Sequence, residues 1–542
     1  MSANSLLGDV SAEPDGQPSA RASFRRIAVL NRGEPAVRFL RTLRAWRRAR
    51  GVETLGVALF TEPDAAAPFV RLADVAVSLG APFRTRADGT TVSAYCDLDF
   101  VIETLHAAGC DAVWPGWGFV SEDAAFVARL EAEGIAFLGP RSETLRALGD
   151  KIAAKEHAEA AGVPLATWRR LPGDAPASAW LEAARVVGYP LMVKASAGGG
   201  GRGIRRVDRS EDLVEAARAV RVEAERSFGD GGVLIEPCVL GGRHVEVQFV
   251  GDGEGRAWAL GVRDCSIQRR HQKLIEETPS PVLTAESART LEAAVVRLAQ
   301  GVSYRGVGTA EFLYVPSTGA STFLEVNARL QVEHPVTEAI FGCDLVEAQI
   351  ELALGLPWRP PVAPPRGHAV EVRLNAEDPT RGFAPRPGLL RVFRTPAGPG
   401  VRVDAGVAEG DHIAPQFDSM IAKVVAWGDT RAQALARLDV ALADLDVVVE
   451  DGATNKAFLR AVLRHPAFVE GKADTGWLDR VGLGGAGLGG AGLGRGQSEL
   501  GDASGTLDSG RAEAALVMAG LLAARRAWAT ARDRFFAEAQ DE

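Results

Sequence analysis

The sixteen residues FLEVNARLQVEHPVTE, 323 to 338, constrain the chain most. Read as an extended strand with period two, they send Glu325, Asn327, Arg329 and Gln331 one way and Val326, Ala328, Leu330 and Val332 the other. An apolar face opposite a polar face is the pattern of a half-buried strand. The polar face is less ordinary. It sets a carboxylate, an amide, a guanidinium and a second amide in a row, with Glu333 just beyond. Hard oxygen ligands therefore stand beside an anion receptor. Glu311 lies on the preceding strand-like run, TAEFLYV (309–315). If the two runs pair, Glu311 and Glu325 can hold Mg²⁺ between them with Asn327 as a neutral ligand. Taken alone, the two glutamates read more readily as a solvated sheet face.

Two further segments suit an anionic substrate. SAGGGGRG (196–203) follows the strand-like YPLMVKA, and a glycine run of this kind offers backbone N–H groups with no Cβ to obstruct a phosphate. Lys194 stands just before it. RDCSIQRRHQK (263–273) concentrates Arg269, Arg270, His271 and Lys273 in five residues, with Gln268 and Cys265 alongside. The bland readings are a flexible loop and a solvated basic turn.

The rest of the chain gives the setting. Residues 26 to 140 alternate short apolar runs (26–30, 54–60, 111–116, 134–140) with helical stretches, which predicts a parallel, doubly wound sheet. A helical hairpin is expected around 143 to 162, and a largely antiparallel sheet over strands at 233–239, 244–250, 257–262, 309–315 and 322–328. One helix is predicted over 337 to 354. The Pro-rich stretch 357–367 reads as a boundary before a mixed β-then-α unit. Residues 481–510 repeat GLGGA-like units and read as a flexible linker. Residues 511–542 predict a helical tail with Val517, Leu521, Ala524 and Trp528 on one stripe, a candidate for docking on a partner. Residues 1–23 read as a disordered tail without a signal peptide.

A net charge of −9 argues against a general nucleic-acid surface, and no run approaches 18 apolar residues, so no membrane span is expected. Five scattered cysteines without a C-x-x-C pair fit a reducing, cytoplasmic setting.

Nine motifs occur in order: NRGE (31–34), PGWGFVSED (115–123), GDK (149–151), VKASAGGGGRG (193–203), RHVEVQ (243–248), RDCSIQRRHQK (263–273), EVNARLQVEHPVTE (325–338), EVRLNAEDP (371–379) and FDSMIAK (417–423). Together they resemble the motif series of biotin carboxylase, the ATP-grasp component of biotin-dependent carboxylases, over about residues 24 to 480. The resemblance implies an α/β and α+β multidomain protein: a doubly wound preATP-grasp domain (24–142), an ATP-grasp domain (143–356) and a biotin carboxylase C-terminal domain (357–480). It implies carboxylation of carrier-bound biotin through carboxyphosphate, the first half-reaction of a biotin-dependent acyl-CoA carboxylase.

By the same resemblance, Lys151, Lys194 and the Gly200–Gly201 backbone hold ATP phosphates. Glu236, Pro237 and Val239 border adenine, and His244, Gln268 and His271 line the nucleotide site. Glu311, Glu325 and Asn327 bind Mg²⁺ or Mn²⁺. Lys273, Arg329, Gln331 and the Val332 backbone bind bicarbonate, Glu333 takes its proton, and Arg373 faces the biotin oxygen. The implied partners are a biotin carboxyl carrier protein or domain, a second copy of the chain, and a carboxyltransferase subunit. No lysine lies between methionines as biotin attachment requires, so a split subunit or a fragment is expected. The chain departs from the family pattern at Trp114, Trp117, Ala197, Pro237, Val262 and Phe417, none of them a mapped catalytic residue. Another ATP-grasp carboxylate ligase, or an inactive assembly subunit, stays open as an alternative.

Overall fold

The computed structural model describes residues 23–482 apart from 173–174, 197–202, 229–230 and 271. The expected N-terminal tail, the backbone of Gly200 and Gly201, Ala197, His271, most of the linker and the tail helix lie outside the described residues. A short helix, Trp477–Val481, covers the first residue of the expected linker and ends on Gly482 at φ 61°.

The first sheet contains β1 (Arg26–Val29), β2 (Leu55–Phe60), β3 (Val75–Ser78), β4 (Ala112–Trp114) and β5 (Ala136–Phe137), in the order β3-β2-β1-β4-β5. Every pairing is parallel. Its apolar runs are buried as a parallel sheet covered on both faces requires, with Ile27, Ala28 and Val29 wholly inaccessible. Helix α1 (Gly33–Arg50) follows β1 and stops at Gly51, whose φ of 62° most side chains resist. The expected helical hairpin is α2 (Ser142–Gly149) and α3 (Lys151–Ala160). Asp150 caps α3 by accepting from the N–H groups of Ile152 and Ala153, which leaves Lys151 at the helix N-terminus.

The second sheet comprises β6 (Arg169–Leu171), β7 (Leu191–Ala195), β8 (Ile204–Val207) and β9 (Val233–Pro237), ordered β8-β7-β9-β6 and antiparallel. The third has eight antiparallel strands: β10 (Arg243–Asp252), β11 (Ala257–Arg269), β12 (Gln272–Thr278), β13 (Arg305–Val315), β14 (Ala320–Asn327), β15 (His368–Asn375), β16 (Val401–Ala405) and β17 (Met420–Gly428). Their order is β14-β13-β10-β11-β12-β15-β17-β16. The sheet runs straight across the Pro-rich segment, because β12 pairs with β15.

Three local expectations need correction. The strand expected at 233–239 does not join the large antiparallel sheet: β9 lies in the four-stranded second sheet, paired with β7 and β6. The segment 263–273, with its cluster of cations, is mostly the β11–β12 hairpin, with Arg263 wholly buried and the bend at Arg270 (φ 47°). The single helix over 337–354 is two, α4 (His334–Phe341) and α5 (Leu345–Ala353). Gly342 at φ 65° ends the first, and Asp344 accepts from Val346 N and Glu347 N to start the second. Strand β14 ends at Asn327, so Arg329 to Val332 lie on a turn and not on a continued strand. A bulge between the Glu311–Glu325 and Phe312–Phe323 pairs also reverses the strand's parity. Phe323 therefore packs edge-on against Phe312, ring centroids 5.8 Å apart, while Val326 also enters the core. Among the described residues no helix is long and apolar enough to cross a membrane.

Candidate active site

The bulge leaves Glu311 and Glu325 as cross-strand partners on β13 and β14. Asn327, the last residue of β14, donates through Nδ2 to Glu311 Oε1 at 2.9 Å. Burial first, and then the charge of Glu311, push the Glu325 carboxyl above its ordinary value. A buried and a part-buried carboxylate side by side, with the Asn327 amide next to them, fit a divalent cation, toward which the amide would turn its oxygen. His244, Glu246 and Glu311 also lie close enough to share an ion. Lys273 Nζ already occupies that space, 2.6 Å from Glu246 Oε2 and 2.9 Å from Glu311 Oε1, so the Glu311–Glu325 pair is the better cation site.

Lys273, on β12, is the hub. Its third partner is Glu333 Oε1 at 2.7 Å. Burial opposes its charge, but Glu246, Glu311 and Glu333 win and hold the ammonium well above its ordinary value. Burial likewise works against the Glu311 charge, and Lys273 and His244 overcome it, pulling that carboxyl well down. His244 Nε2 lies 3.1 Å from Glu311 Oε2. Glu333 is wholly buried. Lys273, Arg373 and Arg263 outweigh its desolvation and hold it far below the usual carboxylate range.

Arg329 reaches Glu122 Oε2 through Nε at 2.8 Å and Asn327 Oδ1 through Nη2 at 2.9 Å. Glu122 Oε1 also accepts from Ala328 N at 3.1 Å, so one side chain anchors both backbone and guanidinium. Gln331 donates to Glu311 at 3.3 Å, and His334 Nδ1 lies 2.7 Å from the Gln331 carbonyl, bracing the turn. Arg373, on β15, contacts Glu276 Oε1 at 2.7 Å and Glu333 Oε2 at 2.9 Å. The turn thus presents a guanidinium, an amide and a carboxylate around one point, next to the carboxylate pair.

Lys151 and Lys194 bring their charge to bear on Glu325 from α3 and the second sheet. Lys194 Nζ pairs with Glu236 Oε1, and Lys155 Nζ lies 2.8 Å from Oε2. Burial opposes the Glu236 charge, but the two lysines keep its carboxyl low. Its side chain therefore sits beneath Lys194, and Pro237 and Val239 follow at the end of β9. Gln268 is buried near the β11–β12 bend.

Several residues escaped sequence reasoning. Glu246 and Arg263 form a wholly buried pair at 2.6 Å, and Arg263 also donates to Gln248, Thr309 and Thr337. Glu246 alternates in phase with His244 in RHVEVQ, a signal that was available. Glu276 follows Lys273 by three, and Glu122 stands in PGWGFVSED; neither pattern by itself announces a partner from another segment. Of the departures, Trp114 is packing: its Nε1 donates to Gln349 at 3.0 Å and its ring stacks on Phe39 at 4.6 Å. Val262 is core, and Phe417 lies under the Arg32 guanidinium, 4.3 Å from its ring centroid.

The chain matches three family profiles: the biotin carboxylase N-terminal domain over residues 23–145, the carbamoyl-phosphate synthase L chain ATP-binding domain over 150–359, and the biotin carboxylase C-terminal domain over 371–480. It is 41% identical to a pyruvate carboxylase subunit from Methanothermobacter thermautotrophicus, covering 85% of this chain and 91% of that one. It is 40% identical to the biotin carboxylase of Allochromatium vinosum, covering 85% and 99%. The biotin carboxylase domain dimer of 2-oxoglutarate carboxylase from Hydrogenobacter thermophilus, solved with magnesium ADP and bicarbonate, superposes with a TM-score of 0.77 at 34% identity over 85% of this chain and 98% of that one. With the three profiles in chain order and relatives matched almost end to end, the chain belongs to the biotin carboxylase family of ligases.

Proposed function

We propose that the protein uses ATP and bicarbonate to carboxylate biotin held on a carrier protein or domain, through carboxyphosphate. The observation that carries this is the shared position of Glu333: one oxygen on Lys273, the other on Arg373, beside the Glu311–Glu325 pair. Lys151, Lys194 and the glycine loop hold the ATP phosphates, with His244, Gln268, His271 and the 236–239 strand end around the rest of the nucleotide. A Mg²⁺ ion held by Glu311, Glu325 and Asn327 would draw charge from the phosphate oxygens. Bicarbonate sits on Lys273, Arg329, Gln331 and the Val332 N–H.

Bicarbonate is a poor nucleophile that must lose its proton as its oxygen attacks the γ-phosphate. Glu333 takes that proton. Arg329 and Lys273 offset the repulsion between the two anions. Arg373 then faces the biotin ureido oxygen and stabilises the charge that develops there as the ureido nitrogen becomes a nucleophile. On this reading the residues divide as the expected domains do, near 142 and 357. The chain works as a cytoplasmic dimer and passes carboxybiotin to a carboxyltransferase whose acceptor is an acyl-CoA.

Purified protein with ATP, Mg²⁺, bicarbonate and free biotin tests the reading. Phosphate release that needs both bicarbonate and biotin supports it. Release stimulated by an amine in place of biotin, or no turnover at all, overturns it.

A further inference from the structure

Lys423 lies on β17, directly across the ladder from Arg373 on β15. It is 0% exposed. Its Nζ donates to the Val332 carbonyl at 2.8 Å, stands 3.2 Å from Glu34 Oε1 and lies 5.0 Å from the centroid of the Trp117 ring. Three segments distant in sequence therefore meet on one ammonium: the start of α1, the loop after β4, and the turn between β14 and α4. A buried ammonium survives only where its charge and its donors are both used.

The geometry gives that charge two uses. One is to neutralise Glu34, which is 2% exposed and whose carboxylate oxygens accept no hydrogen bond among the described residues. Burial pushes the Glu34 carboxyl up to about 7, with Lys423 pulling the other way. The second use is the Val332 carbonyl. That oxygen and the N–H of Glu333 belong to one planar peptide unit. A donor fixed on the oxygen sets the plane from which the Glu333 side chain departs, whereas the Val332 N–H lies in the preceding peptide plane, with the Gln331 carbonyl. His334 Nδ1 braces the neighbouring Gln331 carbonyl at 2.7 Å, so successive carbonyls of the turn are tied down by different side chains.

We propose that Lys423 is a positioning residue for the bicarbonate reaction: by holding the Val332 carbonyl it fixes the peptide from which Glu333 departs and so aims the Glu333 carboxylate at the anion. It touches no substrate. The inference rests on the bicarbonate reading of that turn given above. Trp117, one of the departures from the family pattern, places its ring beside the ammonium and so contributes attraction without competing for the carbonyl.

The test separates the two uses in the full chain. K423M removes both. K423M/E34Q removes the ammonium together with the buried carboxylate it would otherwise leave uncompensated. Steady-state ATP cleavage is measured against bicarbonate and against ATP, alongside melting temperature. The double variant is expected to regain the wild-type melting temperature and an ATP KM within about twofold. Its kcat/KM for bicarbonate is expected to stay down by roughly tenfold or more, the size of a lost hydrogen bond from a charged donor. A double variant with wild-type kcat/KM for bicarbonate overturns the proposal, because Lys423 would then serve Glu34 alone. A double variant that fails to fold also overturns it, since the ammonium would then be required for the fold itself. Wild-type protein without bicarbonate-dependent ATP cleavage sinks the bicarbonate reading instead, and is told apart by that control.

Discussion

Arg373 Nη2 lies 2.9 Å from Glu333 Oε2. The side chain proposed to face biotin and the one proposed to remove the proton thus hold each other. While Arg373 and Lys273 both grip it, Glu333 is a weak base. On the proposed roles, a biotin oxygen that engaged Arg373 would release one carboxylate oxygen and raise its basicity, coupling proton removal to the presence of the acceptor.

E333Q keeps the shape of the side chain and removes its basicity. Turnover is expected to fall roughly 10²- to 10⁴-fold, the worth of a positioned general base, with the ATP KM little changed. Steady-state phosphate release checks this; a wild-type rate would remove Glu333 from the base role.

R373A is expected to damage biotin carboxylation more than bicarbonate-driven ATP cleavage, by about 3–4 kcal/mol for a lost donor at a developing oxyanion. It should also shift the acid limb of the cleavage profile. Arg373 lowers the Glu333 pKa, so its removal raises that pKa and moves the acid limb to higher pH. Equal losses in both assays, or an unmoved limb, contradict the assignment.

E122Q tests the anchor of Arg329. Glu122 is part-exposed, with 40% of its side chain accessible, so the loss should be modest: roughly tenfold in kcat/KM for bicarbonate at an unchanged ATP KM. A change confined to the ATP KM would show that Glu122 does not act through Arg329.

Glu371 offers a pH signature of the fold. It is wholly buried opposite Glu276, and neither oxygen accepts a hydrogen bond among the described residues. Burial pushes its carboxyl well above the ordinary value of 4.5. The folded protein then keeps a proton that the unfolded chain releases. Stability is full below 4.5 and falls as pH rises toward the folded value, by about 1.4 kcal/mol per pH unit for one proton. E371Q should abolish that slope, so its advantage in melting temperature over wild type should grow between pH 5 and 7 (roughly; the window starts at the ordinary carboxylate value). Parallel melting curves across that range would show Glu371 to be ionised in the fold.

Much of the site was legible because its residues cluster locally. Glu325, Asn327, Arg329, Gln331 and Glu333 fall within nine consecutive positions, and the structure gathers them around Glu311, directly or through Asn327 and Lys273. What alternation alone could not supply was the bulge opposite Glu311. Period two puts Phe323 and Glu325 on one face, and only the bulge sends the ring to the core and the carboxylate to the site. The basic run 263–273 stood out by its charge, but how that charge is buried was not legible in it. Arg263 is paid for by Glu246, Gln248, Thr309 and Thr337, partners 15 to 74 residues away that no local pattern reveals. Glu122 and Lys423 were hidden for the same reason. Each acts through a backbone group of a remote segment.

The continuity of the large sheet across residues 357–367 bears on how the protein is made. Arg373 and Lys423 arrive on β15 and β17, after every other residue of the bicarbonate turn has been synthesised. Until then β12 is an unpaired edge, the sort of surface that recruits other chains. A chain ending before residue 368 would carry the proposed metal ligands and base but lack Arg373 and Lys423, the two cations that hold them. Competence would then be acquired late in synthesis, and a nascent-chain length series should show bicarbonate-dependent ATP cleavage switching on only after β17 has emerged.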